Sequence, residues 1–177
     1  DDFAKTLGRF SSAEDLKSKL RLNLEDEAKE REENRAERAM LEALVAAATF
    51  GEIPEILLEG EVDKMLHEFK HGIEENGVEW QPYLLSIKKD EASLRTEFKS
   101  GAEKRVKVAL ITRAFAKVEK LEADDVSVDS EIESTLERYA EDERVAAQVK
   151  NDGYRDYVRN MLTNRKVIEW LKAKLVK

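Results

Sequence analysis

The sequence predicts an all-α protein with an elongated, multi-helix body and a long N-terminal helix. Three observations carry this. Of the 177 residues, 40% are charged and 41% hydrophobic, with only seven Gly and two Pro, a mixture of Ala, Glu, Leu, Lys and Arg suited to long solvated helices. Apolar residues recur every three or four positions between turn signals. Nowhere do four or more alternating residues rich in Val, Ile and Thr lie between such signals, so no strand is expected.

The elements follow in order. Ser11 or Ser12 caps a first helix, Ser12-x-x-Asp15 being a weak capping box, and Leu16, Leu20, Leu24 and Ala28 form one stripe at spacing four. From Lys29 to Arg38 the chain is almost wholly polar, and apolar character returns at Met40, Leu41, Leu44, Val45 and Ala48. A helix polar on all sides in its middle bridges packed regions through water. Run unbroken over about residues 12–48, it spans roughly 55 Å at 1.5 Å per residue. Gly51 as a C-terminal cap and Pro54 in a first turn break it and start another helix. Leu58, Val62, Met65, Leu66, Phe69 and Ile73 stripe that second helix, which Asn76-Gly77 ends. Trp80 to Ile87 reads as a short helix or turn containing Pro82. Asp90 then caps a long helix to about Leu121, whose Val106–Val118 part is apolar on nearly every side and is expected to be the most buried. Asp124 caps a helix bearing Val128, Ile132, Leu136 and Tyr139, and Asp142 caps a short one to Val149. Asn151-Asp152-Gly153 is the last turn, and Tyr154, Tyr157, Val158, Met161, Ile168, Leu171 and Leu175 stripe the final helix.

Composition excludes several functions. With 39 acidic against 31 basic residues the net charge is −8, which repels a phosphate backbone, so no nucleic-acid partner is expected. The absence of Cys removes disulfides, thiolate nucleophiles and Cys-ligated zinc, and fits a cytoplasmic location. No window approaches the roughly 18 apolar residues of a membrane span, and Asp1-Asp2-Phe3 is no signal-peptide start. The expectation is a soluble chain with no membrane partner, no export signal, no metal and no cofactor.

One catalytic-looking motif occurs. His67-Glu68-Phe69-Lys70-His71 matches H-E-x-x-H, in which two imidazoles one turn apart bind zinc and the Glu acts on zinc-bound water. Helix geometry argues against it: at about 100° per residue both histidines lie roughly 160° from Phe69, near the centre of the apolar stripe, and so face water. Lys70 would also bring a cation near the metal. Glu91 and Glu97 are available as third ligands, but Glu is abundant throughout. Two His and no Cys supply almost no material for a Ser-His-Asp or Cys-His arrangement, and no Gly-rich phosphate loop occurs. The acidic run Glu25–Glu37 alternates with Lys and Arg and lacks a calcium loop's Gly, so it reads as a solvated face. No catalytic residue is assigned.

Five segments, in order along the chain, resemble one family. Glu52-Ile53-Pro54-Glu55-Ile56-Leu57-Leu58-Glu59-Gly60-Glu61-Val62-Asp63 is similar to the hinge of the bacterial trigger factor chaperone's C-terminal domain. Phe3-Ala4-Lys5-x-Leu7-Gly8 with Glu14-Asp15-Leu16-Lys17 looks like the lead-in to that domain. Ala102-Glu103-Lys104-Arg105-Val106-Lys107-Val108-x-Leu110 resembles its central helix, Leu121-x-Ala123-Asp124 its second-arm start, and Val167-x-x-Trp170-Leu171-x-x-x-Leu175-Val176 its terminal helix. After Tyr139 the family often shows a Pro and then aromatic residues, where this chain has Ala140-Glu141-Asp142-Glu143 followed by small and β-branched residues.

The resemblance implies a two-armed, trigger factor C-terminal or SurA-like peptide-binding architecture in a single domain over 1–177: a lead-in and long helix over 1–50, a first arm and central helix over 51–123, a second arm over 124–153 and a terminal body helix over 154–177. It implies an ATP-independent chaperone that holds unfolded or nascent polypeptide in a cradle between the arms. The family's ribosome-docking and peptidyl-prolyl isomerase domains are expected to be absent, leaving the ribosome a partner only through a missing domain. Candidate polypeptide-binding residues are Met65, Phe69, Trp80, Tyr83 and Leu84 on the first arm, and Ile132, Leu136, Tyr139, Val145 and Val149 on the second. Core packing competes with client contact at each, more so at Met65 and Phe69, whereas Trp80 and Tyr83, beside a Pro in a connecting segment, are expected to be the most exposed. A homodimer burying the cradle is a further expectation. The competing reading is a helical scaffold or adaptor that binds one specific partner.

Overall fold

The computed structural model describes residues 11–140, 143–149 and 151–175, and the side chains of all of these except 143–145 and 152. The lead-in segment at Phe3–Gly8, the Asp142 cap and the Val145 side chain lie outside the described residues. Seven helices and no strand occur among those described: α1 (Ala13–Ala47), α2 (Glu55–Glu75), α3 (Trp80–Ile87), α4 (Glu91–Val118), α5 (Asp125–Arg138), α6 (Glu143–Val149) and α7 (Asp152–Leu175).

Local chemistry sets the helix ends. The Ser12 hydroxyl accepts from the Asp15 N–H at 3.1 Å, capping α1. The return half of the box is displaced by one residue, since the Asp15 carboxylate accepts from the N–H and hydroxyl of Ser11 and from Lys19. Asp90 and Asp124 cap α4 and α5, each accepting at 2.8 Å from the N–H three residues on.

Two boundaries differ from expectation. α1 ends at Ala47, with Ala48 extended at φ −88° and ψ 148°. Gly51 therefore lies outside the cap, and Pro54 occupies the N-cap position of α2 rather than its first turn. Pro54 keeps the φ of −57° its ring fixes but takes an extended ψ of 133°, so the helix starts one residue later. α4 stops at Val118, short of Leu121: Lys120 takes a left-handed φ of 55° and the Leu121 N–H folds back onto the Ala116 carbonyl at 2.9 Å. Gly77, at φ 76°, ends the turn after α2, where a side chain would be strained.

Among the described residues, three separate hydrophobic clusters share no residue. The first joins the end of α1 to α4 and α7 through Met40, Val167 and Leu171, with Leu44, Phe115 and Trp170 against them. The second closes the α2–α3–α4 end through Trp80, Leu84 and Leu94. The third seats α5 on α7 through Ala123, Val128 and Val158. Between the first two, α2 runs antiparallel to α4, its faces meeting at Val62, Ala102 and Val106. The strung-out cores explain a surface of 13715 Å², against about 8,800 Å² for a compact monomer of this mass. The elongated shape expected from the long polar helix is present.

The Val106–Val118 part of α4 is less enclosed than its composition suggests. Val106, Ile111 and Thr112 are buried, but Val118 is 73% exposed and Leu110 is exposed beside them. Packing of α1 and α7 on the same half of α4 leaves its outer face open. α1 itself is exposed from Lys17 to Arg35 before it meets the body at Met40.

Candidate functional site

The first group of candidate binding residues forms a core rather than an open surface. Phe69 stands edge-on to Trp80, Tyr83 and Phe98 at centroid distances of 5.9, 5.7 and 5.8 Å, and Trp80 stacks on Tyr83 at 6.1 Å. The Trp80 indole donates to Glu91 Oε1 at 2.8 Å. Trp80 is 5% exposed and Leu84 4%, with Tyr83 half-buried. The expectation that Trp80 and Tyr83 are the most exposed candidates is thus overturned. Pro82 is the third residue of α3, where a missing N–H leaves no helical hydrogen bond unmade, so the segment folds as a helix and turns its apolar side inward. Met65 is half-buried, its Cε 3.1 Å from the point a Cβ on Gly101 would occupy. Gly101 leaves room there for the flexible end of the Met65 side chain.

The second group divides. Ile132 packs half-buried against the α5–α7 cluster, Leu136 is half-buried, and Val149 is 5% exposed. Among the described members of the group only Tyr139, the residue that ends α5, is open, at 48%.

Other apolar side chains are accessible as well. Ile56 and Leu57 open α2, Leu85 lies on the outer side of α3, Val126 on α5 and Tyr157 on α7, all exposed. Those on α2, α3 and α5 fall off the stripe that buries their helix, which is the pattern that finds them: Leu85 is out of phase with Trp80, Leu84 and Ile87, as Val126 is with Val128 and Ile132; Tyr157, expected on the stripe of the final helix, is exposed instead. Leu20, Leu22 and Leu24 are likewise exposed on α1.

Charged side chains surround these apolar islands. Across α2 and α4, Lys99 meets Glu59 at 3.3 Å, Arg95 meets Asp63, and Arg105 meets Glu68 at 2.8 Å and Glu61 at 3.4 Å. The two glutamates raise the Arg105 pKa, Glu68 first through its hydrogen bond. Across α5 and α7, Arg159 meets Asp125 at 2.9 Å, Arg155 meets Asp129, and Lys166 meets Asp124 at 3.0 Å. Exposed pairs of this kind contribute about 0–1 kcal/mol each and act chiefly to fix helix register. Donation from Ser127, then from Lys166, holds the Asp124 carboxyl well below the usual carboxylate range.

The H-E-x-x-H segment is spent on the surface. His67 and His71 are exposed, their centroids 6.4 Å apart, with His71 Nδ1 3.4 Å from Glu75. Glu68 pairs with Arg105, Glu91 with Trp80 and Glu97 with Lys89. No group of three or more metal-ligating side chains occurs among the described residues. No helix among them is long and apolar enough to cross a membrane. The accessible apolar side chains are scattered rather than gathered in one patch.

Residues 12–173, from the cap of α1 to the last turn of α7, match the family described as the bacterial trigger factor protein C-terminus. The chain belongs to the trigger factor C-terminal family. Trigger factor from Clostridium kluyveri is 31% identical over 172 residues, covering 97% of this chain. That from Geobacillus sp. is 35% identical over 176 residues and 97% of the chain, and that from Geobacillus kaustophilus 38% identical over 140 residues and 78% of the chain. The chain spans 40% of the length of the first two relatives and 32% of the third. Within the family match, the hinge-like Glu52–Asp63 segment is the extended link before α2 together with its first turns, and it carries Ile56 and Leu57.

Proposed function

We propose that this trigger factor C-terminal domain acts as an ATP-independent chaperone module that holds unfolded or nascent polypeptide in the cytoplasm. The observation that carries the reading is the dispersal of accessible apolar side chains: Ile56, Leu57, Leu85, Val126, Tyr139 and Tyr157 are spread over four helices and the end of one, among charged residues. Scattered small patches bind many sequences weakly, and the charges between them keep the empty surface dissolved. On this reading α2, α3 and the first half of α4 form one arm, α5 and α6 the second, and α1, the end of α4 and α7 the body. Of the residues singled out in sequence, Tyr139 and the half-buried Tyr83 and Leu136 are the contact positions; Trp80, Leu84 and Val149 shape the arms from within. No catalytic step is assigned to these helices.

The test is aggregation of a denatured client diluted into buffer with increasing domain and no nucleotide. Light scattering is expected to fall with stoichiometric domain. Scattering unchanged at a large excess would sink the proposal.

A further inference from the structure

The sequence holds two histidines and no cysteine, so two imidazoles are what it offers to divalent copper, nickel or zinc. Both stand on one helix, one turn apart. His67 and His71 of α2 are exposed, their ring centroids 6.4 Å apart and their planes tilted by 51°. Two imidazoles that share a metal at about 2.0–2.1 Å bring their centroids to roughly 5 Å. Rotation about χ1 and χ2 closes the remaining gap with no movement of the helix, since the His71 side chain is 61% exposed.

The charged neighbours favour capture of a metal and withhold the group that would make it hydrolytic. Glu68, the residue a zinc peptidase needs as its base, accepts from Arg105 at 2.8 Å. Lys70, whose charge opposes a metal, lies 3.9 Å from Glu74. His71 Nδ1 is 3.4 Å from Glu75 Oε1. A carboxylate in that place takes the Nδ1 hydrogen and leaves the Nε2 lone pair for a metal, as such partners do for ligating histidines. Glu75 also ends α2, and the C-terminal end of a helix favours a cation.

We propose that His67 and His71 form a surface site for one borderline divalent transition metal, Cu²⁺, Ni²⁺ or Zn²⁺, ligated by both imidazoles with Glu75 orienting His71. Water fills the other coordination positions, so the metal exchanges readily. The imidazoles are held one turn apart by the folded helix and at no fixed distance in an unfolded chain, so the metal stabilises the native state. Affinity follows ligand softness and the Irving–Williams order, Cu²⁺ above Ni²⁺ and Zn²⁺. Mg²⁺, which takes oxygen ligands, does not compete.

The experiment uses the untagged chain, because a histidine tag would mask the pair, with metal removed by a chelator and the chelator dialysed away. Calorimetric titration with Ni²⁺ and with Zn²⁺ is expected to show one site, and with Mg²⁺ none. His67→Gln and His71→Gln, both at exposed positions, are each expected to weaken Ni²⁺ binding by roughly tenfold or more, and Glu75→Ala by a smaller, severalfold factor. Electron paramagnetic resonance of the Cu²⁺ complex is expected to show two imidazole nitrogens in the wild type and one in either histidine variant. The thermal midpoint of the wild type is expected to rise with Ni²⁺ concentration and that of the histidine variants to stay flat. Unchanged circular dichroism verifies the fold of every variant. Dissociation constants for Ni²⁺ and Zn²⁺ weaker than about 1 mM would overturn the proposal. So would histidine variants that bind as the wild type does, which places the metal on carboxylates, or a Cu²⁺ spectrum without two imidazole nitrogens. A loss in Glu75→Ala as large as in the histidine variants would overturn its orienting role and make it a third ligand.

Discussion

The Trp80 indole donates a 2.8 Å hydrogen bond to Glu91, tying the first residue of α3 to the first residue of α4 across the turn between them. With Trp80 nearly enclosed by Phe69 and Tyr83, this bond orients the largest side chain in its cluster. Glu91→Ala leaves the N–H without its acceptor and is expected to destabilise the domain by about 1–3 kcal/mol in urea unfolding. Trp80→Ala, which opens a cavity as well, is expected to cost about 3–5 kcal/mol. A smaller loss for Trp80→Ala than for Glu91→Ala would contradict the burial described.

Gly101 on α4 faces the end of the Met65 side chain on α2. A methyl there meets the flexible end of Met65 at 3.1 Å, and helix propensity favours Ala over Gly by up to about 1 kcal/mol. Gly101→Ala is therefore expected to leave stability within about 1 kcal/mol of wild type. Gly101→Leu cannot be absorbed by a shift of Met65 and is expected to cost about 1–3 kcal/mol. Equal unfolding midpoints for the two variants would disprove the packing account.

Acid sensitivity should concentrate at the helix caps. The pKa values of Asp90 and Asp124 are lowered by donation from Ser93 and Ser127, and that of Asp125 by donation from Arg159. A carboxylate whose native pKa lies below its unfolded value near 3.9 contributes stability that is complete above that value and is lost as pH falls through the native one. Denaturant midpoints are expected to be flat from about pH 7 to pH 5 and to fall below about pH 4. Asn caps a helix as Asp does but does not titrate, so Asp124→Asn is expected to show a shallower fall between about pH 5 and pH 2. A wild-type slope unchanged by the substitution would remove Asp124 from this account.

How much of this was legible in sequence divides by the range of the forces involved. Helix starts at Ser12, Asp90 and Asp124 were readable because a cap is decided within three residues. The end of α4 was misjudged because the left-handed turn at Lys120 has no Gly or Asn to announce it. Burial was legible only where a stripe was clean, as at Val62 and Val128. Trp80 was misread as open because Pro82 suggested a linker, and only the packing of α3 against α2 and α4 decides otherwise.

Cores and surface leucines on one helix should separate sharply. Leu171 is 1% exposed and Leu175, one turn later, 53%. Leu171→Ala is expected to cost about 2–5 kcal/mol and Leu175→Ala under about 0.5 kcal/mol, read from paired denaturant titrations. Comparable losses would place the end of α7 inside the body.

The exposed length of α1 should exchange quickly. From Lys17 to Arg35 its residues are exposed, and isolated helical segments are marginal in water. Amide exchange there is expected to be at least tenfold faster than around Met40–Leu44, measured by mass spectrometry of proteolytic fragments. Uniform protection along α1 would require a covering surface.

Among the described residues, that same helix meets the body only toward its C-terminal end, around Met40, Leu41 and Leu44. Its Ala13 end lies about 40 Å from Met40 at 1.5 Å per residue, so a tilt of about 10° at the seat swings the tip through about 7 Å. A methyl-sized adjustment among Met40, Val167 and Leu171 is thereby converted into a displacement as wide as a side chain. Any change of angle at that small apolar socket would therefore be magnified at the far end of the helix.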